Sequence, residues 1–191
     1  SYLKPKESKE KLCEEFDINK KDKIILFHSK NLKKNGVIEF LNIIASLSLD
    51  NIKAVIAGDE KQIYSLKFQL TKYNLDDKLL LLEDYPNMDL VYSAADIYIL
   101  PTYVKAFNSN VLKAMFYKTA IFASANSASR EVIDIFSTMD SPNDRSMQFK
   151  VEAILSNKDE LKKIKNENKE RADEFLFDIQ FERLKQIVSN I

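Results

Sequence analysis

Apolar and polar positions follow two alternating patterns along the chain. Short unbroken apolar runs occur at IILFH (24–28), KAVIAG (53–58), KLLLLE (78–83), DIYILPT (96–102) and AIFAS (120–124). Runs of this length, bounded by polar residues or glycine, predict strands buried on both faces. Between them lie segments with apolar residues at helical spacing. NGVIEFLNIIASLSL (35–49) places Val37, Phe40, Leu41, Ile44 and Leu47 on one side. EKQIYSLKFQLTKY (60–73), NMDLVYSAA (87–95), NVLKAMFYK (110–118) and SREVIDIF (129–136) have helical character too. Five such strands alternating with helices predict an α/β fold: a Rossmann-like, doubly wound parallel sheet with right-handed crossovers. STMDSPNDRS (137–146) reads as a loop. The rest is helical and densely charged, and predicts two or three extra C-terminal helices packed on one edge, their charges paired at i,i+4.

At 191 residues the chain is long enough for one domain with a substantial core. Its opening, SYLKPKESKEKL, reads as a linker. Residues 1–22 are therefore expected to hold a linker and a first helix, and residues 23–191 a single domain that is a fragment of a longer protein. Formal net charge is zero, so no global field favours nucleic acid, and a basic site must be local. The aromatics fall at core positions and do not interleave with a basic patch. Cys13 is the only cysteine, which excludes an internal disulfide framework and fits a reducing compartment. No apolar run approaches the roughly 18 residues of a spanning helix.

Ligands of open parallel sheets bind beyond the carboxyl ends of the strands. That selects HSKNLKK (28–34), GDE (58–60), EDYPN (83–87), PTYVKAFNSN (101–110) and SANSAS (124–129). Lys30, Lys33 and Lys34 cluster in the first and Lys105 lies in the fourth, with Lys113 about a turn into the next helix. Asn108, Ser109 and Asn110 suit a helix N-terminus and, with Val111, would offer backbone amides to a phosphate. Solvated surface lysines account for the same spacing. There is no GxGxxG and no Walker loop. His28 is the only histidine; it either touches a ligand in the crevice or is a hydrogen-bonded residue at the core's edge. Asp59 and Glu60 suit a helix start better than a metal.

Taken together, the pieces resemble the C-terminal, donor-binding half of GT-B glycosyltransferases, in particular the retaining group 1 (family four) enzymes. YSAADIYILPT is similar to that family's Y-x-A-A-D strand ending in P-S/T, and KIILFHSKNLKKNGV to its strand and G-R-L-x-x-x-K-G loop. AVIAGD resembles the V-G-x-G region, NVLKAMFYKTAIFAS the L-L-E-A-M-A segment, SASREVID the P-E-V-I segment, and FDIQFERLKQIV the closing helix. The likeness runs from about Lys4 to Ile191. It implies a hexose-type sugar transferred from a nucleotide-sugar to a glycan or lipid acceptor, as in polysaccharide or glycolipid synthesis, with no cofactor and no metal. The acceptor would be held by a separate N-terminal domain, so the isolated chain is expected to be inactive. It also implies a cytoplasmic location; contact of the full-length protein with the inner face of a membrane stays open. Lys30 and Lys34 would carry the diphosphate charge, with amides from Asn108 to Val111. Glu131 keeps the family's P-E-V glutamate, and Asp84 and Tyr85 fall where a base would lie.

One departure stands out. Where the family has a glutamate for the donor sugar and another for the ribose, this chain has Lys105 and Lys113, with Phe107 between them. A lysine donates but cannot accept, so it cannot bind two adjacent hydroxyls as a carboxylate does. A non-catalytic, glycosyltransferase-like scaffold or protein-partner module is the alternative expectation.

Overall fold

The computed structural model describes residues 4–189. Its core is one six-stranded, all-parallel sheet. In chain order the strands are β1 (Lys23–His28), β2 (Ile52–Gly58), β3 (Leu79–Glu83), β4 (Ile97–Leu100), β5 (Ala120–Ser124) and β6 (Thr138–Met139). Their order across the sheet is β3-β2-β1-β4-β5-β6. The winding direction therefore reverses between β1 and β4, where Ile25 lies opposite Ile97 and Leu26 opposite Tyr98. Ile24 to Phe27 and Ile97 to Leu100 are completely buried, as strands covered on both faces must be.

The helices are α1 (Pro5–Glu15), α2 (Val37–Ser46), α3 (Glu60–Leu70), α4 (Met88–Ala94), α5 (Ser109–Phe116), α6 (Met147–Ser156) and α7 (Lys158–Ser189). α1 packs on α4, and α5 on both α4 and α7, while α2 meets α6. Leu12 and Cys13 of α1 lie in the core, so the segment before β1 is part of the folded body. Among the described residues no helix is long and apolar enough to cross a membrane.

The structure departs from the sequence pattern in three places. α2 begins at Val37, two residues later than its pattern, because Gly36 has φ +84° and cannot be helical. Residues 129–136 do not form an α-helix. A short 3-10 turn covers Ala128–Glu131, and the Asp134 side chain then accepts from the Phe136 amide. That local bond competes with helical pairing, and it leaves Ile135 89% exposed. Part of the expected loop at 137–146 joins the sheet edge as β6, where Ala123 pairs with Thr138. The charged C-terminal region forms two helices, as the pattern allows: α6 and then α7, one continuous helix of 32 residues.

Candidate functional site

The carboxyl ends of β1 and β4 open at the reversal point, where a parallel sheet leaves a crevice. Both bordering loops are tied down. Thr102 Oγ1 donates to Asn35 Oδ1 (2.8 Å, buried), and the Tyr103 amide donates to the Lys34 carbonyl (3.2 Å). Gly36 permits this approach, since a Cβ there would overlap the Pro101 carbonyl oxygen. The loop after β5 closes on the loop after β4. The Ala128 amide donates to the Lys105 carbonyl (2.9 Å), and the Asn108 amide to Ser129 Oγ (3.3 Å).

A cavity of about 430 Å³ lies beside the reversal point, over the ends of β1, β2 and β3. His28, Lys30, Asp59, Gln62, Asp84 and Tyr85 are among its lining residues. Gln62 anchors the wall: its Nε2 donates to the Lys30 carbonyl (2.7 Å) and its Oε1 accepts from the Leu32 amide (2.8 Å). The sequence offered one sign of Gln62, its place three residues after the N-cap Asp59, but not its bond to a loop 30 residues away. Asp59 does start a helix, accepting from the Gln62 amide at 3.2 Å. Asp84, at φ +44°, accepts from the Glu60 amide (3.2 Å). The Tyr85 hydroxyl donates to Glu15 Oε2 (2.9 Å); burial, reinforced by Glu15, pushes its pKa up to about 12. Tyr85 therefore offers the cavity its ring rather than a free hydroxyl.

His28 is wired into the core. Its Nδ1 lies 2.8 Å from the Tyr92 hydroxyl, a bond either tautomer can make because a hydroxyl both donates and accepts. Its carbonyl accepts from the Tyr98 hydroxyl (3.0 Å) and from Asn110 Nδ2 (3.2 Å). Burial first, and then the charge of Lys113, lower the His28 pKa to about 4. His28 is thus neutral at physiological pH; it is held as a hydrogen-bonded residue at the core's edge and lines the cavity. Its neutral form is favoured by folding, so its stabilisation is complete above pH ~6.5 and is lost as pH falls through 4. The contribution at stake is about 2–4 kcal/mol. An NMR titration of the single histidine should find that low value, and Lys113→Gln should raise it part of the way. A titration midpoint near 6.5 in the native chain would contradict this environment.

The lysine positions have separate fates. Lys30 is exposed on the cavity rim. Lys34 and Lys105 are exposed and do not line the cavity. Lys113 Nζ forms an ion pair with Asp89 Oδ1 of α4 (2.7 Å) and lies 5.2 Å from the centre of the Tyr92 ring. Hydrogen bonds from Lys113, chiefly, and from Tyr117 hold the Asp89 carboxyl below its ordinary range, against a smaller burial effect. Nothing in the local pattern pointed to Asp89 as a partner, because the pair joins two helices. Phe107 stacks on Phe175 of α7, with ring centres 6.0 Å apart. Glu131 is exposed at the end of its turn.

The N-terminus of α5 is less open than expected. Asn108 is its N-cap, with Oδ1 accepting from the Asn110 amide (2.9 Å). The Val111 amide donates to the Asn108 carbonyl (3.0 Å), and the Asn108 amide is already used by Ser129. Of the four amides from Asn108 to Val111, only that of Ser109 has no acceptor among the described residues.

Comparison with known proteins agrees with this fold. A family model described as glycosyl transferases group 1 matches residues 8–171. No curated protein sequence matches the chain. A glycosyltransferase from Rickettsia africae is 18% identical, with a TM-score of 0.83 over 99% of this chain and 54% of its own. Anabaena HepE, solved with UDP-glucose, is 13% identical, with a TM-score of 0.84 over 96% of this chain and 53% of its own. The C-terminal domain of the group 1 protein LpcC from Francisella tularensis is 19% identical, with a TM-score of 0.75, and is matched over 94% of its length by 90% of this chain. The chain thus spans about half the length of the first two proteins and nearly all of an isolated C-terminal domain. With more than half of its residues matched by the family, the chain belongs to the group 1 glycosyl transferases, and its fold is that of a GT-B C-terminal domain.

Proposed function

We propose that this chain is the donor-binding half of a glycosyltransferase that moves a hexose-type sugar from a nucleotide-sugar to a glycan or lipid acceptor. The observation that supports it most directly is the cavity beside the reversal point, walled by His28, Gln62 and Tyr85 and rimmed by Lys30. A base would lie against the Tyr85 ring and Asp84, and the diphosphate would extend towards Lys30 and the free Ser109 amide. Lys30 and Lys34 would stabilise the charge that develops on the departing diphosphate, which requires no metal. At the ribose and sugar positions the family's carboxylates are gone. Lys113 is held by Asp89, and Lys105 stands in solvent.

The same observations favour a second reading, a non-catalytic scaffold. Some of the groups to which the resemblance assigns donor contacts, Lys113 and the amides of Asn108, Asn110 and Val111, are already satisfied inside the protein. Calorimetric titration with UDP, GDP and their sugar conjugates, at two salt concentrations, separates the two. The Anabaena relative was solved with UDP and with UDP-glucose, so the uridine series comes first. Donor binding predicts saturable, base-dependent affinity that Lys30→Gln weakens about tenfold, the loss of one charge-assisted contact. No binding at millimolar ligand, or binding matched by phosphate alone, would put the scaffold reading first. The isolated chain should show no transferase turnover, because the acceptor half of a GT-B site lies on another domain; robust turnover on added acceptor would contradict the proposal.

A further inference from the structure

The amino end of the sheet, opposite the crevice, carries a second concentration of charge. Asp96, just before β4, is buried there. Its Oδ2 accepts from the Ile24 amide (3.0 Å) and lies 3.3 Å from Lys9 Nζ, while its Oδ1 lies 3.2 Å from Lys165 Nζ. Two ammonium groups thus share one carboxylate, and the cluster keeps an excess positive charge. Burial lowers the Lys165 pKa; Asp96 opposes this, and the charges of Lys9 and Lys23 add to it.

Directly outside this cluster is a cleft of about 280 Å³. Lys23, Lys118, Lys158, Lys162, Lys165 and Asn166 line it, and no carboxylate does. They come from the start of β1, the turn before β5 and the first turns of α7, so the fold and not the local sequence gathers them. Lys23, Lys118, Lys158 and Lys162 have no ion pair among the described residues, whereas Lys67, Lys78 and Lys113 each face a carboxylate. Asp159 and Glu160, in the first turn of α7, do not line the cleft. In a chain of zero net charge, five lysines around one concavity repel one another, and among the described residues only Lys165 has a carboxylate partner, the Asp96 that it shares with Lys9. Several ammonium donors converging on a small volume suit a compact, multiply charged oxyanion, to which each would make a charge-assisted hydrogen bond.

We propose that this cleft binds a phosphate or diphosphate group, at a site separate from the nucleotide crevice. The group is either free in solution or carried as a lipid headgroup. The first probe is inorganic pyrophosphate, titrated at low salt into the native chain and two double variants. Lys118→Asn with Lys162→Gln alters the cleft; asparagine suits the left-handed backbone at Lys118, φ +59°. Lys30→Gln with Lys34→Gln alters the crevice. The crevice variant should retain a pyrophosphate site, and the cleft variant should weaken that site at least about tenfold. In an amide NMR spectrum, pyrophosphate should shift Lys118, Lys158 and Lys162. If the cleft variant unfolds, Lys158→Gln with Lys162→Gln, both exposed on α7, replaces it. Co-sedimentation with phosphatidylcholine vesicles, with and without phosphatidic acid, identifies the source. Capture that depends on both phosphatidic acid and the cleft lysines indicates a headgroup; pyrophosphate binding without capture indicates a free anion. The proposal is overturned if the cleft variant binds pyrophosphate like the native chain, if shifts are confined to residues 28–34 and 105–111, or if no pyrophosphate binds.

Discussion

Replacing Asp96 with alanine is expected to destabilise the domain by about 3–5 kcal/mol, the usual cost of stranding buried charges. Three groups lose their acceptor together: Lys9, Lys165 and the amide of Ile24, the second residue of β1. A domain of this size has about 5–15 kcal/mol in total, so the variant should be close to unfolding at room temperature. Asp96→Asn keeps an acceptor for the amide but not the charge, and should fall between the two. Adding Lys165→Met to Asp96→Ala should recover part of the loss, because it removes one of the stranded ammonium groups. Urea unfolding measures all of these; a loss under about 1 kcal/mol for Asp96→Ala would show the cluster to be solvated rather than buried. The acid dependence is distinctive too. Burial opposes ionisation of Asp96, but Lys165, Lys9 and the Ile24 amide outweigh it and hold its carboxyl below the ordinary value. Its contribution is therefore intact above the unfolded value near pH ~3.9 and fades as pH falls through the lower folded one. The His28 contribution is lost earlier, between pH ~6.5 and 4. Acid unfolding should begin with the histidine and end with Asp96.

Gly36→Ala is the second large effect, expected at about 2–5 kcal/mol. Two terms add. At φ +84° an alanine pays about 1–2 kcal/mol for a left-handed backbone. Its Cβ would also overlap the Pro101 carbonyl, a backbone atom that cannot turn aside, and such overpacking costs about 1–3 kcal/mol. Gly58→Ala is the matched control. There the Cβ meets the end of the Leu32 side chain at 2.8 Å, and no positive φ is involved. It should cost about 1 kcal/mol or less, because a flexible side chain can shift. If unfolding curves show equal losses, the tight approach of the two crevice loops is not as described. Since Gly36 sets that approach, its alanine variant should also weaken nucleotide binding at temperatures where it stays folded.

Much of this fold was legible because it is encoded locally. IILFH and KAVIAG can be buried on both faces only in a sheet covered on both sides, and that is where β1 and β2 lie. The segment 129–136 misled because Val132 and Ile133 are apolar enough for a helix, yet Asp134 captures a nearby amide and ends the repeat. β6 escaped notice because two residues carry no period. For the site, the strand-end rule led to His28 and Lys30, which line the cavity, and to Lys34, Lys105 and the start of α5, which do not. It could not show that Gln62 braces Lys30 or that Asp89 holds Lys113, since both bonds join elements distant in the chain.

The sequence by itself determined the class of fold and the direction of the sheet, because these follow from short-range periodicity and from the geometry of parallel strands. Its motifs also marked the family, and the resemblance drew attention to Lys105 and Lys113. Only the tertiary structure decided what those lysines face. Lys113 is neutralised across a helix pair, Lys105 is left in water, and the lysines at 23, 118, 158, 162 and 165 gather at the far end of the sheet. The physical reason is that a charge acts through space over a few ångströms, and which charges come that close is set by packing and not by order along the chain.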